Sequence, residues 1–247
     1  MLRGDYYILA IDLPGHGLSS HYPANVPLEF LNDIIAVVCV LQYMQWKRIL
    51  LLGHSMGGQI SFFFTAAFPE YVEKIIVIDH ISPSNGEKPV VTMLRSHVKE
   101  FLELNKKLKA GKEPVYTYQQ AIDKMINRSS TLNNEAAEIV LKRSLEKVPD
   151  GYTFRMDQRL KLNTIPLLTT DHLLNILSNI RCPILCVFSS ERFTIYEMIF
   201  REAFALLRKK SNYTEKVVNG NHDFHQNHPE RIVDLIDEFF LNEKCKL

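Results

Sequence analysis

The chain has 247 residues, 46% hydrophobic and 23% charged, and its 29 Lys+Arg against 28 Asp+Glu leave a net charge of +1. Such a length allows one to two domains and the burial of roughly 70–75% of the unfolded surface. The composition excludes wholesale disorder, collagen-like repeats and coiled coil. Without a long basic stripe, nucleic acid is not an expected partner.

From the N-terminus, Tyr6 to Ile11 reads as a first β-strand, followed by the turn-forming loop Asp12-Leu13-Pro14-Gly15-His16-Gly17-Leu18-Ser19. Leu28 to Trp46 has helical spacing of apolar residues, Arg48 to Gly53 is a strand, and Gly57 to Phe68 is helical again. Lys74 to Asp79, Pro183 to Phe188 and Glu215 to Val218 supply the remaining strands, and Glu230 to Phe240 follows Pro229 as a final helix. Alternating strands and helices predict an α/β fold with a mainly parallel sheet. Between them, Pro83 to Asn179 is richer in Lys, Glu, Asn and Gln, with amphipathic helices near Val90 to Leu108, Tyr118 to Ile126 and Asn134 to Lys147 and no expected strand. The reading is therefore a core of residues 1–82 and 180–247 carrying a helical cap, or lid, at 83–179.

Cysteines at 39, 182, 186 and 245 form no CxxC pair and read as reduced thiols. No stretch reaches the ~18 consecutive apolar residues of a membrane span, and no secretory signal is expected at the start of the chain.

Gly53-His54-Ser55-Met56-Gly57 follows an apolar strand and opens a helical pattern. A G-x-S-x-G sequence in that context is a nucleophile elbow: the strand turns abruptly into a helix, and small residues leave the serine hydroxyl exposed. Ser55 is the candidate nucleophile, and the Met56 N–H at the helix start is the candidate oxyanion donor. His222, in the loop after the last strand, falls on the same carboxyl edge of the sheet as Ser55 and is the candidate general base. Asp79 at a strand end is preferred as the acid that orients His222, because a short side chain there is rigidly held; Glu191 is the alternative. His222, His225 and His228 also make an H-x-x-H-x-x-H run. Its irregular context and the lack of a cysteine pair argue against a zinc site, so His225 and His228 are expected at the surface or as helix caps. On physical grounds alone the Asp12 to Ser19 loop is structural, with Pro14 fixing φ and the glycines permitting sharp bends.

Together the Asp12 to Ser19 loop, the Gly53 to Gly58 elbow and Gly220-Asn221-His222 resemble the α/β-hydrolase superfamily. Gly15-His16-Gly17-Leu18-Ser19-Ser20-His21-Tyr22 and Met156-Asp157-Gln158-Arg159-Leu160 are similar to its serine hydrolase-like, or kraken-like, branch. The resemblance implies a Ser-His-acid hydrolase cleaving a small or lipid-like ester or thioester, with the insertion as cap, no metal or other cofactor, and His54 and His16 at the substrate. Ser55 separates it from relatives with Asp at the nucleophile position.

In that superfamily three strands precede the one expected at Tyr6 to Ile11, and a loop after the third carries a second oxyanion donor. Only Met1 to Asp5 precede it here, so the expected sheet is incomplete at its N-terminal side. Loss of one oxyanion donor typically costs ~10²- to 10³-fold in rate. The alternative reading is accordingly a truncated, catalytically weak hydrolase-fold protein that binds a small apolar ligand. Cys245-Lys246-Leu247 is similar to the Ser-Lys-Leu address read by the peroxisomal import receptor, giving a peroxisomal or cytoplasmic expectation.

Overall fold

A computed structural model describes residues 6–23, 26–81, 90–111, 113–129, 131–162 and 168–241. In chain order its elements are α1 (Phe30–Met44), β1 (Ile49–His54), α2 (Met56–Ala67), β2 (Val72–Ile78), α3 (Val90–Lys109), α4 (Tyr118–Ser129) and α5 (Asn134–Ser144). There follow β3 (Leu145–Val148), β4 (Gly151–Phe154), α6 (Thr170–Asn179), β5 (Ile184–Ser189), α7 (Ser190–Ile199), α8 (Arg201–Leu207), β6 (Tyr213–Val218), α9 (Phe224–Asn227) and α10 (Val233–Leu241). The chain divides into two compact units: Met1–Ile8, Val37–Ser84 and Leu167–Leu247 form one, and Leu9–Ala36 with Asn85–Pro166 the other.

The first unit is built on a parallel sheet of order β1-β2-β5-β6. Ile75, Ile76, Val77 and Ile78 form a continuous apolar run on β2, the pattern of a strand covered on both faces, and all four are buried. Ile76 and Ile78 join Leu185, Val187, Phe224, Ile232 and Ile236 in one cluster. Val77 faces the other way, so close to α2 that a Cβ at Gly58 would stand 2.7 Å from its Cγ1. Lys74 is a buried cation on this central strand, and its Nζ donates to Phe239 O at 2.9 Å and Phe240 O at 3.0 Å. It thereby satisfies carbonyls at the end of α10, where the helix dipole favours positive charge.

Tyr6 to Ile11, expected as a strand, joins no ladder among the described residues, and Tyr7 and Ile8 are exposed. A strand exists only by pairing, and β2 is the one described partner of β1. Tyr7 instead rests edge-on against Trp46 at 5.5 Å.

In the second unit the expectation of helices alone is corrected by the β3–β4 hairpin, in which Leu145 pairs with Phe154 and Val148 with Gly151. Its side chains give the amphipathic helices something to cover: Ala121, Ile122, Leu141 and Leu145 form a core with Tyr116, Tyr152 and Phe154 packed against it. The Met156 to Leu160 motif is a clamp. Arg159 binds Asp157 through Nε–Oδ1 at 3.0 Å and Nη2–Oδ2 at 2.6 Å, and donates to the Tyr22, Pro23 and Val26 carbonyls. Burial alone would raise the Asp157 pKa; the Arg159 hydrogen bonds reverse that and hold it below the usual carboxylate range. No described helix is long and apolar enough to cross a membrane.

Candidate active site

Every residue of this site belongs to the first unit. Ser55 lies between the last residue of β1 and the first of α2, with φ 51° and ψ −115°. A non-glycine residue held at positive φ is strained, and the surrounding structure must impose it. The two glycines of the elbow play different parts in this. A Cβ at Gly53 would lie 2.2 Å from Gly57 O and 2.5 Å from Ser61 Oγ, whereas one at Gly57 would meet nothing within 4 Å. Close approach of strand and helix therefore explains Gly53 but not Gly57. The Ser55 N–H donates to Ile78 O at 3.0 Å, tying the bend to the end of β2.

A chain of hydrogen bonds runs from this hydroxyl. His222 Nε2 is 3.0 Å from Ser55 Oγ, and His222 Nδ1 is 2.7 Å from Asp79 Oδ2. The carboxylate accepts the Nδ1 proton, so Nε2 keeps the lone pair that faces the hydroxyl. Asp79 is fully buried. Its Oδ1 accepts the Ser189 N–H at 2.8 Å, Tyr196 Oη donates to its backbone carbonyl at 3.0 Å, and Arg192 Nη1 stands 3.8 Å from Oδ2. Like Ser55, Asp79 has positive φ, 47°. Glu191 opens α7 with an exposed side chain, and its backbone N–H donates to Gly220 O at 3.3 Å.

A family model described as alpha/beta hydrolase fold matches residues 2–103. The chain is 30% identical to the serine hydrolase-like protein of Danio rerio over 245 residues, covering 97% of this chain and 74% of that one. It belongs to the serine hydrolase-like branch of the α/β-hydrolases. A probable serine hydrolase of Drosophila melanogaster is 31% identical over 249 residues, with the same two coverages of 97% and 74%. Among solved structures, a hypothetical protein of Pseudomonas aeruginosa PAO1 superposes with a TM-score of 0.76 at 29% identity, covering 92% of this chain and 78% of that one.

In this α/β-hydrolase, Met56 is the first residue of α2 and directly follows Ser55. His54 lies beside the hydrogen-bonded chain rather than within it: its Nε2–H donates to His222 O at 2.9 Å, and the two rings are 4.5 Å apart. Burial first, and then the neighbouring His222, pull its pKa down to about 4. His16 belongs to the second unit, where Nδ1 is 3.3 Å from Pro14 O inside a set of turns. There Leu18 N and Ser19 Oγ donate to Asp12, and a Cβ at Gly17 would clash with the Asp12 carboxylate at 2.4 Å.

His225 differs from its expected surface position. It is half-buried, with its ring 3.9 Å from that of His54, and burial pulls its pKa to about 3. The reason is the fold of α9, which follows the His222 loop directly and carries residue 225 inward. His228 ends α9 and pairs with Glu230 at 3.4 Å. Ser189, Arg192 and Tyr196 were not singled out from sequence. Ser189 becomes legible only once β5 is known to neighbour β2, because it stands two positions beyond Val187, the partner of Ile78. Residues 242–247, with the Cys245-Lys246-Leu247 ending, lie outside the described residues.

Proposed function

We propose that this hydrolase cleaves an ester or thioester of a small or lipid-like acyl group through a covalent intermediate on Ser55. The observation that carries the reading is the pair of distances about His222, 3.0 Å to Ser55 Oγ and 2.7 Å to Asp79 Oδ2. Ser55 Oγ attacks the acyl carbonyl as His222 Nε2 takes its proton, and Asp79 stabilises the imidazolium that results. The Met56 N–H at the start of α2 binds the oxyanion. His222 returns the proton to the leaving oxygen or sulfur, which departs as the acyl group stays on Ser55. A water deprotonated by the same imidazole then releases the acid and restores the serine. The strained backbone at Ser55 supports this reading, since a serine that merely caps a helix adopts an ordinary extended conformation.

Hydrolysis of p-nitrophenyl esters and acyl thioesters of graded chain length tests the proposal. Turnover should fall at least about 10³-fold in Ser55→Ala; equal turnover by that variant would refute it. A further part of the proposal is recognition of Cys245-Lys246-Leu247 by the peroxisomal import receptor. Deleting Leu247 should move a tagged chain from peroxisomes to the cytosol, and an unchanged distribution would refute it.

A further inference from the structure

Three side chains that the proposed reaction does not use converge beside His222. One ligand-type atom from each of His54, Asp223 and His225 lies within 4.8 Å of the others. His54 ends β1, whereas Asp223 and His225 come from the start of α9, so the cluster joins two remote parts of the first unit. The His54 Nε2–H bond to His222 O is the kind of outer hydrogen bond that fixes the tautomer of a ligating imidazole, and it leaves the lone pair on Nδ1. His225 Nδ1 is buried with no hydrogen-bond partner among the described residues. Native structures seldom leave a buried nitrogen so, and a bound ion is one explanation. Asp223 is buried and brings a carboxylate to the two imidazoles.

We propose that His54, Asp223 and His225 form a site for a divalent transition cation of the zinc or copper class, and that occupancy inhibits the Ser55–His222 pair. Two imidazole nitrogens and one carboxylate oxygen are the donor set of borderline cations; magnesium and calcium prefer oxygen alone. Three protein ligands leave a coordination position for water. The inhibitory effect follows from proximity. The cation's ligand His54 bonds to the His222 carbonyl and its ligand Asp223 follows His222 directly, so ligation fixes the loop on which the His222 ring must shift between Ser55 Oγ and the leaving group. The inhibition rests on the serine-hydrolase reading, but cation binding does not.

Equilibrium dialysis of the full chain against zinc chloride reads binding directly, and the rate of fluorophosphonate labelling with and without zinc reads inhibition. His225→Phe keeps the ring stack and removes both donors, so one equivalent of zinc should be lost; Asp223→Asn should weaken binding at least about tenfold. Thermal unfolding of each variant verifies that it is folded. Zinc should slow labelling of the wild type at least tenfold and leave His225→Phe, which labels normally without metal, unaffected. Absence of zinc binding, or a stoichiometry and affinity unchanged in both variants, would overturn the site. Binding that leaves labelling unchanged would overturn the inhibition. A metal-free chain that takes no label would refute the serine-hydrolase reading instead, with dialysis still deciding the cation site.

Discussion

Replacing Asp79 with Asn changes a single atom at a position where both carboxylate oxygens are committed. Oδ1 accepts the Ser189 N–H at 2.8 Å and Oδ2 accepts from His222 Nδ1 at 2.7 Å. Asparagine has one acceptor and one donor group, so neither orientation satisfies both neighbours. With its oxygen toward Ser189, the amide NH₂ faces His222 and drives the ring to the opposite tautomer. The proton then sits on Nε2, 3.0 Å from Ser55 Oγ, and general-base catalysis is lost at a cost of about 10⁴-fold, or about 5.5 kcal/mol of activation free energy. Flipped, the amide opposes the Ser189 N–H and leaves buried donors face to face, costing about 1–3 kcal/mol of stability. Initial rates of p-nitrophenyl ester hydrolysis and thermal unfolding should therefore both register Asp79→Asn. Glu191→Gln, at an exposed position, should stay within about twofold in rate. A folded Asp79→Asn protein retaining more than a tenth of wild-type activity, or a larger loss in Glu191→Gln, would refute the reasoning.

Gly53→Ala should destabilise the protein by about 2–4 kcal/mol, because its Cβ would meet backbone that cannot move without shifting α2. Gly57→Ala, with open space at the Cβ, should match or exceed wild-type stability in the same melting experiment. Lowering the pH from 7.5 to 5.5 should reduce stability in urea titrations. Burial holds the pKa of His54 at about 4 and those of His80 and His225 at about 3. The unfolded chain thus binds protons below about pH 6.5 that the native state refuses. Stability from these groups is complete above pH 6.5 and is lost toward pH 4 and 3. By pH 5.5 each histidine accounts for about 1.4 kcal/mol by linkage, and His225→Phe should flatten the dependence by that amount; a flat profile in the wild type would contradict the assignment. Arg159→Ala, which strands the buried Asp157 carboxylate, should cost about 3–5 kcal/mol by chemical denaturation.

Much of the core was legible because buried parallel strands are short apolar runs with distinct boundaries. The Ile75 to Ile78 run and its sharp end at Asp79 read directly from sequence, and that strand end carries the carboxylate that bonds to His222 Nδ1. Leu145 to Val148 escaped because Leu-Glu-Lys continues the spacing of the helix begun at Asn134, although Asp150-Gly151 is a hairpin signal. Gly151 does take φ 144° there, and a Cβ would stand 2.5 Å from Tyr116 O. The strand expected at Tyr6 to Ile11 has the right pattern, yet pattern alone supplies no ladder partner. The histidine run misled for a different reason. Its members serve separate partners: His222 faces Ser55 and Asp79, His225 stacks on His54, and His228 pairs with Glu230. Linear spacing says nothing of a cluster that brings His54, at the end of β1, to Asp223 and His225, after β6.

Nucleophilicity of the Ser55 hydroxyl in the folded chain is the property on which a covalent mechanism turns. Intact-mass measurement after exposure to a fluorophosphonate, followed by peptide mapping, should find one adduct per chain, located on Ser55 and absent from Ser55→Ala and His222→Ala. A folded wild-type protein that gains no mass, or an adduct that persists in Ser55→Ala, would contradict it.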